Sequence, residues 1–294
     1  MKIIDGRKVS EEIYQSLKVE VENIKTNRGK VPHLAAVLVG NNPASQTYVN
    51  AKVKACEQVG FGSTLVKLDE NITEETLLNT IKQLNENPEI DGFIVQLPLP
   101  KHIDENKVTQ AILPQKDVDG FHPTNLGRMV LNLPAYLPAT PFGIVKLLEA
   151  YQIETAGKHC VVIGRSHIVG SPMSILLARN SNPGNCTVTL CHSKTNNLDH
   201  YTQQADIVIV ALGKPYFLKK EMIKEGAVVV DVGISRVETT TTKSGFKLAG
   251  DADFDDIAEK CSFITPVPGG VGPMTIASLM YNTLLASRKE IYKD

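Results

Sequence analysis

The chain alternates short apolar runs with amphipathic segments, and it does so in two blocks. The apolar runs of strand length are residues 34–40, 64–68 and 92–97 in the first block, and 160–163, 187–191, 206–211 and 227–232 in the second. Two segments of the first block, 43–59 and 74–84, repeat apolar residues at helical spacing. The first has Val49, Val53, Cys56 and Val59 on one face, and the second has Leu77, Leu78, Ile81 and Leu84. This alternation predicts an α/β fold with mostly parallel sheets covered by helices.

The segment between the two blocks is rich in proline. Residues 131–141 contain Pro134, Pro138 and Pro141, which makes this stretch the best candidate for a linker. The final segment, 275–292, has the pattern of a helix with apolar Leu279, Met280, Leu284 and Leu285. The pattern therefore predicts two α/β domains and a terminal helix.

Composition narrows the possible partners. The 294 residues include 31 basic and 32 acidic side chains, so no basic excess points to nucleic acid. Residues 1–6 reach an acid and a glycine before any apolar run of signal-peptide length, and no apolar stretch of 18 residues follows. These features predict a cytoplasmic protein with no membrane partner.

The five cysteines include no pair with two intervening residues, which argues against both a disulfide framework and a zinc site. Cys186, Cys191 and His192 lie close together in sequence, but no fourth ligand is evident. We therefore expect no bound metal.

Residues 264–275 (ITPVPGGVGPMT) form a rigid stretch with few side chains. Prolines fix φ and remove N–H donors, whereas glycines permit close approach to the backbone. An ordinary connection between a strand and a helix needs only one or two such residues. The composition thus favours a preshaped binding surface over a plain connection.

A glycine-containing turn follows the run at 160–163 and precedes a helical segment. In residues 164–170 (GRSHIVG), Ser166 stands at the second glycine position of the dinucleotide fingerprint, and Gly170 comes one residue late. Such a turn offers backbone N–H groups and the positive end of a helix to a pyrophosphate. An ordinary strand-to-helix turn is the alternative for this motif alone.

The residues beyond the turn favour NADP over NAD. A site for NAD usually carries an acid about 20 residues on, yet no acidic residue occurs from Arg165 through Leu198. Instead Ser193 and Lys194 follow the next strand, where they and Arg165 would suit a 2′-phosphate. A solvated loop is the alternative for Ser193 and Lys194 taken singly. We expect His167 and Arg179 at the surface.

The first block carries other polar residues at helix and strand ends. Asn42 and Pro43 form a good helix start. Tyr48 and Lys52 are four residues apart on that helix, beside the apolar stripe but not within it, although surface pairs with this spacing are common.

Gln96 falls at the carboxyl end of a parallel strand, where open α/β sheets bind ligands. Asp117 and Asp119 precede a glycine, and either could cap a turn. We favour that structural role for Asp117.

Six of these motifs together resemble the bifunctional methylenetetrahydrofolate dehydrogenase/cyclohydrolases, and they occur in the order of that family along essentially the whole chain. They are residues 48–52 (YVNAK), 95–100 (VQLPLP), 116–120 (KDVDG), 164–170 (GRSHIVG), 191–195 (CHSKT) and 266–275 (PVPGGVGPMT).

The resemblance implies two domains that flank a cleft: an α/β folate-binding domain of residues 1–139, completed by 270–294, and a Rossmann-like NADP-binding domain of residues 140–269. The C-terminal helix would return to the first domain. It also implies NADP-dependent oxidation of 5,10-methylenetetrahydrofolate to the methenyl cation, hydrolysis of that cation to 10-formyltetrahydrofolate, and a homodimer.

The resemblance further implies roles for individual residues. The catalytic residues would be Lys52, Tyr48, Gln96 and Asp119, all four of which would also contact the folate. Further folate contacts would come from Leu97, Pro268, Gly269 and Gly270. The NADP contacts would be Gly164, Arg165, Ser166, Ile168, Gly170, Ser193, Gly233 and Ile234.

Partial burial would lower the pKa of Lys52 enough for it to accept a proton near neutral pH, and Gln96 would hold it without adding charge. Lys52 would then serve as the base or only orient water. Residues 179–185 form a longer turn than the common family pattern has.

Two alternatives to the bifunctional enzyme stay open at the sequence level. One is a dehydrogenase of the same fold without hydrolase activity, and the other is a non-catalytic module that senses NADP. The polar residues of the first block argue against the sensor, because cofactor binding alone does not need them.

Overall fold

The computed structural model describes residues 1–240, 242 and 245–293. The strands are β1 (Lys2–Ile3), β2 (His33–Val39), β3 (Gly62–Leu68), β4 (Gly92–Val95), β5 (His159–Ile163), β6 (Thr187–Cys191), β7 (Ile207–Val210), β8 (Val228–Asp231), β9 (Ser235–Glu238), β10 (Phe246–Ala249) and β11 (Phe263–Ile264). The α-helices are α1 (Gly6–Thr26), α2 (Pro43–Val59), α3 (Glu74–Glu86), α4 (Glu105–Ala111), α5 (Pro123–Val130), α6 (Ala139–Ala150), α7 (Gly170–Ala178), α8 (Leu198–Thr202), α9 (Phe254–Ile257) and α10 (Val271–Ser287). Single 3-10 turns lie at Pro114–Lys116, Lys220–Met222 and Ala258–Lys260.

The chain divides into two compact units. The first unit contains Glu11–Ala139 and the residues from Ile276 onward, and the second contains Met1–Ser10 and Thr140–Thr275. These ranges differ from the domain ranges expected from the sequence at residues 1–10 and 270–275. The N-terminal residues join the second unit because β1 pairs in parallel with β11, Lys2 opposite Phe263.

The first unit is built on a three-stranded parallel sheet in the order β3, β2, β4. Successive residues of a strand point to opposite faces, so β2 supplies two cores. Leu34, Ala36 and Leu38 pack with α1, α2 and α10, whereas Ala35, Val37 and Val39 pack with α3 and α4. Both faces are therefore covered, as the unbroken apolar run of β2 predicts.

The second unit contains a six-stranded parallel sheet in the order β1, β11, β8, β7, β5, β6, together with the antiparallel pair β9 and β10. Strands β7 and β8 and the last four residues of β5 are fully buried. Because all six strands run the same way, their carboxyl ends share one edge. The turns after β5, β6, β7 and β8 therefore gather at that edge, where open sheets bind ligands.

The α/β class is confirmed, and the bounds of the seven predicted strands differ by at most two residues at either end. Helix α2 begins and ends where the pattern predicts, whereas α10 starts four residues earlier and ends five residues earlier than expected. The expected linker is wrong at its C-terminal end: Ala139 opens α6, and both Tyr136 and Ala139 are buried in the first unit.

Candidate active site

Lys52 is the centre of a polar cluster in the first unit. Its side chain is 9 % exposed, and its Nζ donates a hydrogen bond of 3.1 Å to Oε1 of Gln96. Gln96 in turn donates from Nε2 to the carbonyl oxygen of Leu97, over 2.7 Å. That second bond fixes which end of the amide faces the lysine. The structure thus brings together the predicted residues Lys52, Gln96 and Leu97.

The sequence prediction that Lys52 lies beside the apolar stripe of α2 is wrong. The buried face of the helix contains Lys52 together with Ser45, Val49, Ala55, Cys56 and Val59, whereas Val53 is only half-buried. The sequence prediction assigned Val53 to the buried stripe because valine is apolar. In the structure, Lys52 faces the core more directly than Val53 does. Burying a charged lysine there costs free energy of folding unless the ammonium is paired or hydrogen-bonded.

Burial lowers the pKa of Lys52, since a desolvated ammonium is disfavoured, and the carboxylate of Asp119 opposes part of that shift. Burial likewise raises the pKa of the Asp119 carboxyl, and Lys52 opposes that shift. The two groups influence each other, so Asp119 belongs to the same cluster. Tyr48 lies one turn before Lys52 on α2 and is 44 % exposed, so its ring is open to a ligand.

Helix α2 is held at its start as predicted. The side chain of Asn42 accepts hydrogen bonds from the backbone N–H groups of Ala44 and Ser45, at 2.9 and 3.2 Å, and Pro43 opens the helix.

Asp119 lies in a segment that is fixed from several sides. Its carbonyl oxygen accepts from the backbone N–H of Ala139. Asn282 of α10 is 1 % exposed and donates from Nδ2 to the carbonyl oxygens of Val118 and Leu137, at 2.9 and 3.0 Å. Sequence reasoning missed Asn282. The available signal was an amide within the apolar pattern of α10, a position where a polar side chain needs partners.

Asp117 caps the turn, as predicted. Its carboxylate accepts from the backbone N–H groups of Phe121 and His122 and from Nδ2 of Asn125. The hydroxyl of Tyr292 donates to Oδ1 of Asn125 over 2.7 Å, which extends the network to the C-terminal segment. Burial raises the pKa of Asp117 to about 7.

In the second unit, the predicted cofactor turn joins β5 to α7. Gly164 has φ +115°, and a Cβ placed on it would lie 2.3 Å from the carbonyl oxygen of Ala211, so no side chain fits there. Ser166 accepts from the backbone N–H groups of Val169 and Gly170 and so caps α7. Gly170 is buried, whereas the side chains of Arg165, Ser166, His167 and Ile168 are exposed.

Ser193 and Arg165 occupy equivalent places on neighbouring strands. Ile163 of β5 pairs with Cys191 of β6, and each predicted residue follows its strand by two positions. Ser193 and Lys194 are exposed. A hydroxyl and two cations at the carboxyl edge, with no acid before Asp199, fit a phosphorylated dinucleotide such as NADP.

The expectation that Arg179 is a surface residue is wrong. The residue is half-buried, its Nε is buried without a hydrogen-bond partner, and burial lowers the pKa of the guanidinium. The two ends of the longer turn at residues 179–185 are joined by a backbone hydrogen bond. Asn185 N–H donates to the carbonyl oxygen of Arg179 over 2.9 Å.

The segment containing Pro268, Gly269 and Gly270 packs against the N-terminal residues of the same unit. A Cβ on Gly6 would lie 1.8 Å from the carbonyl oxygen of Gly270, and Arg7 N–H donates to the carbonyl oxygen of Gly269. The glycines were expected to let a ligand approach the backbone closely. In the structure, the N-terminal residues Gly6 and Arg7 of the same chain make that close approach. Gly269 and Gly270 are buried and Pro268 is exposed.

Gly233 and Ile234 follow β8. Gly233 is buried beside Asp251, and Ile234 is 44 % exposed. Among the described residues, no group of three or more His, Cys, Asp or Glu side chains is placed to hold a metal ion. No helix within the described part of the chain is long and apolar enough to cross a membrane.

Comparison with known proteins identifies the family. Residues 4–119 match the catalytic domain of tetrahydrofolate dehydrogenase/cyclohydrolase, and residues 138–291 match its NAD(P)-binding domain. The bifunctional protein FolD of Cytophaga hutchinsonii is 68 % identical over 287 residues, which span 98 % of this chain and 99 % of that protein.

Solved structures agree with the sequence comparison. The bifunctional FolD methylenetetrahydrofolate dehydrogenase/cyclohydrolase of Campylobacter jejuni is 48 % identical with a TM-score of 0.92, over 99 % of both chains. The Trypanosoma brucei methylenetetrahydrofolate dehydrogenase/cyclohydrolase, complexed with NADP and an inhibitor, is 37 % identical with a TM-score of 0.92, over 99 % of this chain and 98 % of that one. The chain belongs to the tetrahydrofolate dehydrogenase/cyclohydrolase family.

Proposed function

We propose that the polar cluster around Lys52 carries the folate chemistry of this bifunctional enzyme. The enzyme oxidises 5,10-methylenetetrahydrofolate to the methenyl form with NADP and hydrolyses that product to 10-formyltetrahydrofolate. One observation supports the residue assignment above the rest: a buried lysine donates to the oriented amide of Gln96.

Lys52 acts in the hydrolysis. The methenyl carbon shares a delocalised positive charge, so a water that attacks it must lose a proton. Burial lowers the pKa of Lys52, which favours the neutral amine that accepts this proton more than solvent would. Because Gln96 is uncharged, it orients the amine without raising its pKa again.

Oxidation depends mainly on positioning. Loss of hydride leaves the folate as a stabilised cation, so this step needs alignment more than it needs a base. Asp119 offers two acceptor oxygens to the N–H donors of the pterin, Tyr48 provides an exposed ring for stacking, and Leu97 lines the folate site. Bound NADP supplies the hydride acceptor.

The second unit holds the cofactor. The turn from Gly164 to Gly170 presents backbone to the pyrophosphate, with Arg165, Ser166 and Ile168 exposed on it. Ser193 and Lys194 take the 2′-phosphate, and Gly233 and Ile234 complete the site from the end of β8.

The test begins with the purified protein, 5,10-methylenetetrahydrofolate and either NADP or NAD, with reduced cofactor, methenyl and formyl products followed separately. We expect reduction of NADP that ends in the formyl product. Lys52→Met keeps the aliphatic stem but removes the amine, so hydrolysis should fall about 100-fold or more. Lys54→Met, on the exposed side of α2, is the matched control and should keep wild-type rates.

Two other readings would be recognised in the same assay. Oxidation that stops at the methenyl product, beyond its uncatalysed hydrolysis, would indicate a dehydrogenase alone. NADP binding without turnover would indicate a sensor. The Lys52 cluster favours the bifunctional enzyme over both, because neither needs a buried lysine with a lowered pKa.

We also propose that the enzyme works in the cytoplasm as a homodimer. All five cysteines are free and buried, which suits a reducing compartment. The homodimer is the expectation that the resemblance of the sequence to the family carries. Light scattering of the purified protein tests the dimer, and a monomeric mass would contradict it.

A further inference from the structure

Two buried carboxylates stand at the carboxyl edge of the second unit's sheet, and the proposed function uses neither. Asp231 ends β8 and is 3 % exposed, while Asp251 follows β10 and is fully buried. Buried carboxylates are rare without a partner, and here the partners are backbone N–H groups rather than cations.

Asp251 binds the loop that follows β7. Its Oδ2 accepts from the backbone N–H groups of Leu212 and Gly213, at 2.5 and 2.9 Å, and its Oδ1 accepts from that of Lys214, at 2.7 Å. Three consecutive N–H groups aimed at one anion form a concave backbone arrangement that normally recognises a bound anion. In this chain the anion is an internal carboxylate, so Asp251 dictates the shape of the loop.

Asp231 holds Asp251 in place. Its Oδ1 accepts from the backbone N–H groups of Asp251 and Gly233, both at 2.9 Å, and its Oδ2 accepts from that of Ala252, at 2.8 Å. The same side chain therefore connects Asp251 to Gly233, which lies in the proposed NADP site. A Cβ on Gly233 would lie 2.4 Å from Oδ1 of Asp251, so the two residues are in direct contact.

The loop shaped by Asp251 adjoins the glycine turn. Ala211, the residue before Leu212, donates its N–H to the carbonyl oxygen of Ile163 over 2.9 Å. Its own carbonyl oxygen occupies the space where Gly164 would carry a side chain. The turn after β5, the loop after β7 and the residues after β8 are thus connected through hydrogen bonds and backbone contacts.

We propose that Asp251, held by Asp231, is a positioning residue of the NADP site. It fixes residues 212–214 and Gly233 around the glycine turn, so that the cofactor meets backbone already in its bound shape. A preformed loop spares the ordering cost that a mobile loop would pay on binding. The inference rests on the proposed function in one respect, namely that the turn from Gly164 to Gly170 binds NADP.

Asp251→Asn in the full chain tests the proposal. The amide keeps the size of the carboxylate but replaces one acceptor oxygen with a donor, which then faces an N–H group. If the competent loop shape falls to about a tenth of the population, the Kd for NADP rises about tenfold. The KM for NADP should rise in parallel while kcat at saturating NADP is largely kept. Asp255→Asn makes the same change in charge at an exposed site of α9 and should leave Kd unchanged.

Hydrolysis of added 5,10-methenyltetrahydrofolate distinguishes positioning from misfolding, because that step consumes no NADP. We expect Asp251→Asn to hydrolyse at the wild-type rate. Gly213→Ala is a second variant: its φ is +66° and nothing lies within 4 Å of the added carbon, so it strains the loop without touching the core. It should weaken NADP binding several-fold and leave hydrolysis intact.

Wild-type affinity for NADP in Asp251→Asn would overturn the proposal. If Asp251→Asn loses hydrolysis as well as NADP binding, Gly213→Ala decides, and unchanged Kd in that variant overturns it. NADP binding by the wild-type protein is measured first. Its absence would contradict the proposed function itself and this inference with it.

Discussion

At the scale of single residues, the pair formed by Lys52 and Gln96 can be given a different charge with almost no change in side-chain size. Gln96→Glu would place a carboxylate about 3 Å from the Lys52 ammonium, and an opposite charge within that range raises a lysine pKa by about 1 to 3 units. The base works in its neutral form, so the rising limb of hydrolysis against pH should move to higher pH by about one unit or more.

The measurement is kcat/KM for hydrolysis between pH 6 and 10. Gln58→Glu is a matched control, because Gln58 is exposed, lies six residues beyond Lys52 on α2, and hydrogen-bonds to Glu11 rather than to the lysine. A limb that stays in place in Gln96→Glu would contradict the role of Lys52 as a base and favour its role in orienting water.

Coenzyme choice also belongs to the residue scale. Ser193→Asp would place a negative charge where the 2′-phosphate of NADP is proposed to bind. We expect the Kd for NADP to rise about tenfold or more, with a much smaller change for NAD, since repulsion acts on the phosphate alone. Asn196→Asp adds the same charge at an exposed position three residues away and should change neither. Equal losses for both coenzymes would place the 2′-phosphate elsewhere.

At the scale of elements, α10 supports the segment around Asp119 through one side chain. Asn282→Ala removes the donor to the carbonyl oxygens of Val118 and Leu137, and a buried acceptor left unsatisfied costs about 1 to 3 kcal/mol. We expect lower thermal stability and a higher KM for the folate, because Asp119 lies directly between the held Val118 and Gly120.

Ser278→Ala, on the same helix, is the control for Asn282→Ala. The hydroxyl of Ser278 is buried without a partner, so its removal should leave both stability and KM unchanged or improve stability slightly. A normal KM in Asn282→Ala despite lost stability would confine Asn282 to a structural role.

The elements also show how far the sequence alone reaches. Buried parallel strands such as β7 are short apolar runs with few alternatives, and local pattern suffices to find them. Helix α1 was missed although it has 21 residues with apolar Val9, Leu17 and Val21 at helical spacing, so local pattern could have found it. The antiparallel pair β9 and β10 and the pairing of β1 with β11 did not emerge, because such short elements depend on neighbours distant in sequence.

The candidate site shows the same division. The sequence predicts Tyr48, Lys52, Gln96, Asp119 and Ser193 as site residues because their motifs are local and resemble a family. Asn282, Asp231 and Asp251 were not found. Their roles arise from backbone groups that only the folded chain brings to them, as when Asp251 meets the N–H groups of Leu212 and Gly213.

At the scale of the whole molecule, burial raises the pKa of a carboxyl group to about 7 in both units, for Asp117 in the first and Asp231 in the second. Glu74 and Asp206 have lowered pKa values instead, because each carboxylate accepts a hydrogen bond from a lysine, Lys107 and Lys224 respectively. The two kinds of group therefore give opposite contributions to the dependence of stability on pH.

The direction in which Asp117 makes stability depend on pH follows from its proton binding in the folded and unfolded states. Its folded pKa lies above the unfolded value of 3.8, so between about pH 4 and pH 7 the folded chain binds the proton more tightly than the unfolded chain. The contribution of Asp117 to the free energy of unfolding is full below pH 4. It is lost as pH rises through 7, by about 4 kcal/mol in all at 1.36 kcal/mol per pKa unit.

Asp117→Asn cannot titrate, so the fall in unfolding free energy between pH 5 and pH 7.5 should be smaller in the variant. Urea unfolding at four pH values measures it, with the exposed helix cap Asp104→Asn as the control for the lost charge. Equal pH dependence in Asp117→Asn and the wild-type protein would show that Asp117 keeps its proton in neither state, and that the hydrogen bonds from Phe121, His122 and Asn125 outweigh its burial.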